Sequence, residues 1–420
     1  MLTDRGRAVL ALGGLTYLAA WSFGGRALYP IALGLVLAVA GAALWVRLVN
    51  LPMRLRRSVW EGEHFGGDDV HLAVEIAVDG TMLPAAPVLR ERLARLGEHE
   101  AELRRVARGR GLAGGYTLSR VPRGRYAIES SSVVLEDPFG LARADVEVTR
   151  PDALLVYPRL VELDEVFTDA GGQTPGGRQL LLRRTTGFEL HSVRDYEQGE
   201  SLRRVHWPST ARRGELMVKE LEDAPRDESA VFLDACAGGV VGEGADSTFE
   251  LAVRAAGSLV RLHARRGRRT SLVVSTPGRA YQRVGSLDGD WQRALELLAA
   301  VQPDGHLSAS AFLADESGAA ARALDLTVVT ASLDGRLVDV LLQRALARHG
   351  ASLVYVDPAS FLPEGRRPQE VDGQLVRLDR AGVPAIVVRR GDDLAARLAG
   401  SLEARQGSAS VAAAAGGAHG

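Results

Sequence analysis

Asp234 follows the apolar run Ala230-Val231-Phe232-Leu233 and opens the loop Asp234-Ala235-Cys236-Ala237-Gly238, which sets a carboxylate two residues from the chain's single thiol. The run reads as a short buried strand. In sheets of parallel strands, ligands meet the carboxyl ends, and the other residues expected there are Ser275 or Thr276, Thr330 and Asp357. A carboxylate among hydroxyls suits a hard cation such as magnesium, which takes oxygen ligands at near-octahedral geometry. Here Cys236 is a soft ligand and Gly238 has no side-chain oxygen. Asp234 is therefore the one metal candidate of a degenerate site; its competing role is a strand-end carboxylate that caps backbone amides, and no cofactor is expected. A nucleophilic Cys236 would need a base, His206 or His263. A metal- or cysteine-dependent hydrolase at these strand ends is the enzymatic alternative, although one thiol and scattered histidines are ordinary in a chain of 420 residues.

Composition removes other chemistries. A single cysteine excludes an intrachain disulfide and a cysteine-based zinc cluster. Of the 51 basic residues only Lys219 is a lysine, and it lies in Glu215-Leu216-Met217-Val218-Lys219, outside any glycine-rich loop. A phosphate-binding P-loop and the active lysine of a protein kinase are thus both absent. Nucleic-acid binding through Arg178, Arg183 and Arg184 lacks the stacking aromatics and the basic domain it would need, so no nucleic-acid partner is expected.

The densest charge runs through Arg194-Asp195-Tyr196-Glu197-Gln198-Gly199-Glu200-Ser201-Leu202-Arg203-Arg204-Val205-His206-Trp207-Pro208-Ser209-Thr210-Ala211-Arg212. Guanidinium groups make forked bonds to carboxylates. The alternation of Arg194, Arg203, Arg204, Arg212 and Arg213 with Glu189, Asp195, Glu197, Glu200 and Glu215 either closes on itself as an ion-pair clamp with Trp207 as its apolar anchor, or presents Arg194, Arg203, Trp207 and Arg212 to an acidic partner.

This string resembles the hallmark of a bacterial family, domain of unknown function 58: Arg-x-Tyr-x-x-Gly-Asp-x-x-Arg-x-Ile-x-Trp-x-x-(Ser/Thr)-Ala-Arg. Arg194, Tyr196, Gly199, Arg203, Trp207, Thr210, Ala211 and Arg212 match it; Glu200 and Val205 replace the family's Asp and Ile, and His206 stands where Asp is common. Arg123-Gly124-Arg125-Tyr126, Asp137-Pro138-Phe139-Gly140-Leu141 and Val156-Tyr157-Pro158 also look like the family's β-region. The resemblance implies a membrane-anchored protein with a von Willebrand factor A-like domain, whose metal loop reads Asp-x-Ser-x-Ser where this chain has Asp234, Cys236 and Gly238. It also implies a MoxR-type AAA+ ATPase as partner.

The elements that must position these residues follow from charge and periodicity. Residues 1–60 carry Arg5, Arg7, Arg26, Arg47, Arg54, Arg56 and Arg57 against one acid, Asp4, a net +6; the remaining 360 carry 44 basic against 51 acidic residues, a net −7. Between the arginines lie two uncharged runs, Ala8 to Gly25 and Ala27 to Val46, each near the length that spans a bilayer as a helix. The expectation is a two-helix transmembrane hairpin (about 8–25 and 27–46) in the inner, or plasma, membrane, multi-pass, with basic flanks holding both termini in the cytoplasm. A cleaved signal peptide and a buried soluble hairpin are the weaker alternatives.

Beyond residue 57, period-two alternation at Leu72, Val74, Ile76 and Val78, with strand-like runs at 115–121, 126–135 and 144–148, predicts a β-sandwich-like domain over 58–160. Residues 88–108, with Leu89, Leu93, Leu96 and Leu103 among charges, read as a helical insertion riding on it. A connector over 161–224 holds the family string. From 225 to 404, strands at 230–233, 270–275, 326–330, 352–356 and 385–388 alternate with helices at 247–263, 291–301, 336–349 and 394–402, predicting α/β architecture with a doubly wound parallel sheet. Residues 405–420, rich in Ala, Gly and Ser, read as a disordered tail. Together these predict a non-enzymatic interaction or scaffold protein, anchored in the lipid bilayer and serving complex assembly, stress or envelope functions.

Overall fold

The computed structural model describes residues 1–59, 63–78, 87–106, 111–148, 150, 152–169, 188–195, 207–223, 229–315, 318–362 and 369–400. The chain divides into two compact units, Met1–Tyr157 and Pro158–Gly420. Tyr196, Gly199 and Arg203 of the family string, and the expected tail 405–420, lie outside the described residues.

The first unit opens with α1 (Asp4–Phe23) and α2 (Leu28–Val49). Thr3 caps α1 by accepting the Gly6 N–H at 3.0 Å, and Gly24 closes it in the left-handed region at φ +68°. The helices approach closely because Gly13 faces α2, where an added Cβ would lie 3.3 Å from Val36. Both expected runs are therefore helical. Among the described residues, however, only α2 is long and apolar enough to cross a membrane, because α1 begins on Asp4, Arg5 and Arg7 and is diluted by Gly13, Gly14 and Thr16.

Two antiparallel sheets follow. One pairs β1 (Met53–Val59), β2 (Asp68–Val78), β6 (Gly111–Val121) and β5 (Arg104–Arg105); the other pairs β4 (Gly97–Glu102), β3 (Val88–Leu93), β7 (Gly124–Glu136) and β8 (Arg143–Glu147), with β9 (Ala153–Val156) also on β7. Alternate residues of β2 turn inward against the facing sheet, Val74, Ile76 and Val78 against Leu89, Val133 and Leu135, and Val70 and Leu72 against Leu93, Tyr126 and Ile128. The helical reading of 88–108 is overturned: its described residues, 88–106, form a β3–β4 hairpin and a short third strand. Arg57 is corrected as well, since it is no membrane-flanking charge but a core residue of β1, its side chain 3% exposed.

The second unit carries β10 (Phe188–Asp195) paired antiparallel with β11 (Met217–Asp223), with the short helix α3 (Trp207–Arg213) between them in sequence. Its main sheet joins β12 (Ser229–Leu233), β15 (Thr270–Val274), β16 (Tyr281–Val284), β17 (Asp325–Thr330), β18 (Gly350–Val356) and β19 (Ala385–Val388) in the order β16-β15-β12-β17-β18-β19. All neighbours are parallel except β16, which returns from β15 as an antiparallel edge. A small hairpin, β13 (Gly242–Glu243) and β14 (Asp246–Ser247), precedes the helices.

Helices cover both faces of this sheet. Val231 and Leu233 point into a core with α4 (Thr248–Arg265), α5 (Gly289–Ala300) and α10 (Leu394–Ala399). Ala230 and Phe232 point into another with α6 (Ala309–Leu313), α7 (Ala319–Arg322), α8 (Gly335–Leu346) and α9 (Gln369–Arg380). Burial on both faces explains why these strands are apolar without alternation. Ser247 caps α4 by accepting the Glu250 N–H at 3.3 Å. The stretch after Tyr157 belongs to this core: Leu163, Val166 and Phe167 are buried in it, and Gly257 leaves room for Leu160, whose Cδ2 would lie 2.6 Å from an added Cβ.

Candidate functional site

Parallel register brings the strand ends together. Leu233 is opposite Val274 on one side and Val329 on the other. The next residue of each strand is Asp234, Ser275 and Thr330, and all three are buried. Asp234 Oδ2 accepts the Thr330 hydroxyl at 2.6 Å, while Oδ1 accepts the Ser275 hydroxyl at 3.2 Å and the Cys236 N–H at 3.0 Å. Ser275 Oγ in turn accepts the Ala235 N–H at 2.7 Å, and Thr330 Oγ1 accepts the Ser332 N–H at 2.9 Å. The carboxylate thus closes three loops on one another using neutral donors. Burial holds its pKa above the ordinary carboxylate value; the bonds from Thr330, Cys236 and Ser275 act the other way, and Asp334 adds to the rise.

Beside this cluster is a recess lined by Asp234, Cys236, Gly239, Val240, Thr248, Phe249, Ala252 and Ala331, with room for about one water. Among the described residues no group of three His, Cys, Asp or Glu side chains is placed to hold a metal ion. Cys236 is a half-buried free thiol at the amino-terminal end of α4. His263 lies fifteen residues beyond Thr248 on that helix, roughly 22 Å along its axis, so the two do not meet; His206 lies outside the described residues. The remaining strand-end residues are engaged elsewhere. Thr276 Oγ1 accepts the Ala280 N–H at 3.1 Å, and Asp357 caps the turn Pro358–Phe361 through the Ala359 N–H at 3.2 Å, with Arg389 at 3.6 Å.

The family string is distributed over two elements. Arg194 lies in β10, opposite Val218. In α3, Thr210 Oγ1 accepts the Met217 N–H at 3.0 Å and fixes the turn into β11. Trp207 is no buried anchor: it is 65% exposed, and Ala211, Arg212 and Arg213 are exposed beside it.

Sequence reasoning also missed a buried polar cluster in the first unit. Glu91 of β3 is fully buried; Oε1 accepts from Arg57 Nε at 2.8 Å and Ser131 Oγ at 2.7 Å, and Oε2 accepts the Tyr116 hydroxyl at 2.8 Å. Its signal was the acid at the inward position between Leu89 and Leu93, visible once the run is taken as a strand.

Residues 192–360 match the family model described as protein of unknown function DUF58. The matched span begins in β10 and ends just after β18, so it contains both α3 and the Asp234 cluster. The chain is also similar to the uncharacterized protein YeaD of Bacillus subtilis (strain 168), 26% identical over 125 residues, which are 30% of this chain and 31% of the relative. It therefore spans about a third of that relative's length. Among solved structures, Cwp6 from Clostridium difficile overlaps 80% of this chain and 45% of its own at 9% identity, with a TM-score of 0.21, too slight a likeness to bear on the fold.

Proposed function

We propose that this chain is a non-enzymatic, membrane-anchored interaction protein. In this reading α1 and α2 form a hairpin in the inner membrane with both ends in the cytoplasm, and the α/β unit, von Willebrand factor A-like in strand order, recruits a protein partner. The observation that carries the reading is the surface of α3: Trp207, Arg212 and Arg213 are exposed together, with Leu216 39% exposed beyond them. Tryptophan and arginine are the residue types that dominate binding energy at protein interfaces, and an internal clamp would have placed Trp207 out of solvent. Two guanidinium groups beside an indole suit an acidic surface.

The family resemblance points to a MoxR-type AAA+ ATPase as that partner, with a role in complex assembly or in stress and envelope functions. In the same reading the Asp234 cluster locks three strand ends and carries no reaction. The test is a binding titration of the full chain in nanodiscs with the MoxR-type ATPase of the same cell. Trp207→Ala and Arg212→Ala should each weaken binding about tenfold or more, as removal of an interface hot spot does, while leaving the melting temperature unchanged. Unaltered affinity in both variants would place the interface elsewhere.

A further inference from the structure

Outside α1 and α2, the described residues of Met1–Tyr157 leave three large apolar side chains in solvent: the terminal Met1, Val106 at 40% and Phe139 at 77% exposure. Phe139 stands in the turn Asp137-Pro138-Phe139-Gly140 between β7 and β8. That turn is held firmly. The buried Asp137 carboxylate accepts the N–H groups of Phe139 at 2.9 Å and of Leu141 and Ala142 at 2.6 Å each, and Gly140 takes φ +66°. An aromatic residue fixed outward on so constrained a turn has no folding reason to be there, since burial is what stabilises a phenylalanine.

The turn is also bound to the helices. The Thr3 N–H donates to Leu141 O at 3.0 Å and the Thr3 hydroxyl to Gly140 O at 2.6 Å. An added Cβ at Gly6 would lie 2.0 Å from Leu141 O, so α1 passes the turn in backbone contact. Leu141 and Ala142 share a buried cluster with Val39, Ala42 and Val46 of α2. Ala42 is seven residues before the end of α2 at Val49, roughly 10 Å of helical rise. The turn therefore sits alongside the last two turns of the apolar helix and not beyond its end. The exposed leucines Leu37, Leu44 and Leu48 line the opposite face of α2, away from Val39, Ala42 and Val46, as a helix surrounded by lipid would have them, and Arg5, Arg7 and Arg47 are exposed at the same helix ends.

We infer that Phe139 is a second membrane contact: the Asp137–Gly140 turn seats its ring at the boundary between headgroups and acyl chains of the leaflet that receives the helix ends, where Arg5, Arg7 and Arg47 meet lipid phosphates. Aromatic rings settle at that depth, and basic residues reinforce it on anionic lipid. The inference rests on the reading that α2 spans a bilayer.

The experiment uses the full chain in nanodiscs of phosphatidylcholine and phosphatidylglycerol. With Cys236→Ala removing the native thiol, a nitrobenzoxadiazole label is attached at Phe139→Cys, at Leu37→Cys in mid-helix, or at Glu98→Cys. Glu98 is exposed on β4 at the opposite end of the sheet, where Leu93 pairs with Ile128, eight residues before the last residue of β7. The Phe139 label should be blue-shifted relative to the Glu98 label, quenched several-fold less by aqueous iodide, and quenched most by lipids spin-labelled near the headgroup. If the Leu37 label is in lipid while the Phe139 label matches that at Glu98, the inference fails and the span survives. If the Leu37 label is aqueous too, the span itself fails.

Discussion

Each unit buries a carboxylate, and they are compensated differently. Glu91 in the β unit is bound by a guanidinium: Arg57 donates from Nε to the carboxylate at 2.8 Å and from Nη1 to the Arg150 carbonyl at 3.0 Å, while Ser131 and Tyr116 supply hydroxyls. Asp234 in the α/β unit receives two hydroxyls and one N–H and, among the described residues, no cation. A buried pair that is fully hydrogen-bonded keeps both charges at the expense of their desolvation. A buried carboxylate with neutral donors alone lies nearer to protonation, as the raised pKa of Asp234 expresses. The cluster around Glu91 acts on its neighbour too: burial first and the adjacent Glu91 second push the Tyr116 phenol above its ordinary range. Glu91 is thus neutralised by a cation, and Asp234 is hydrogen-bonded but pH-sensitive.

The largest effect expected from breaking this contrast is at Arg57. Arg57→Met leaves the Glu91 carboxyl without its cation in a dry core, and stability should fall by about 3–5 kcal/mol, read as a shift of the urea midpoint of the full chain in detergent. Arg57→Met combined with Glu91→Leu should recover most of the loss, because the uncompensated charge and not the missing packing is what destabilises. A single variant as stable as the native chain would show that water reaches Glu91.

Little of this contrast was visible in advance, for reasons that differ by residue. The strands of the α/β unit are legible because burial on both faces makes each a continuous apolar run, as in Ser229–Leu233, where every residue is buried. The start of α4 is legible because a capping box is local. Leu89, Leu93 and Leu96, at spacings of four and three, fit a helix equally well, since a four-residue spacing also places two residues on one face of a strand. What decides the matter is pairing with β7, about forty residues on, which no local pattern contains. Taking the run as a helix concealed Glu91, and with Glu91 hidden Arg57 passed for one more flanking arginine. Asp234, Ser275 and Thr330 were each legible as strand ends, but which of Ser275 and Thr276 joins Asp234 depends on the register of Leu233 with Val274. For the family string, Thr210 and Trp207 have definite places, whereas Tyr196, Gly199 and Arg203 lie outside the described residues.

The second prediction sharpens the pH contrast. His263 is 3% exposed on α4, its Nδ1 has no hydrogen-bond partner, and burial, with Arg268 and Arg266 adding to it, lowers its pKa to about 4. The folded value is below the unfolded one near 6.5, so the stabilisation is present in full above about pH 6.5 and is lost as pH falls toward 4. The loss is on the order of 3 kcal/mol. Urea midpoints measured across that window should fall steeply for the native chain and much less for His263→Leu. Equal slopes in the two would mean that His263 is protonated in the folded state.

The smallest effect belongs to Asp234, and its sign is opposite. Its folded pKa is raised above 3.8, so its titration contributes stability below that value which is lost as pH rises through the folded value. In the His263→Leu background this reversed slope should become visible, and Asp234→Asn should remove it, so that the Asn variant gains on its parent as pH rises. Asp234→Ala removes the carboxyl that receives the Ser275 and Thr330 hydroxyls and the Cys236 N–H, and should cost about 1–3 kcal/mol at low pH and less as pH rises through the folded value. Magnesium adds one discriminating arm. If the carboxylate is saturated by protein donors, the melting temperatures of native chain and Asp234→Ala should be equally indifferent to millimolar magnesium. A rise confined to the native chain would mean that the three strand ends open to admit a cation, and that the difference between the two buried carboxylates is one of occupancy and not of design.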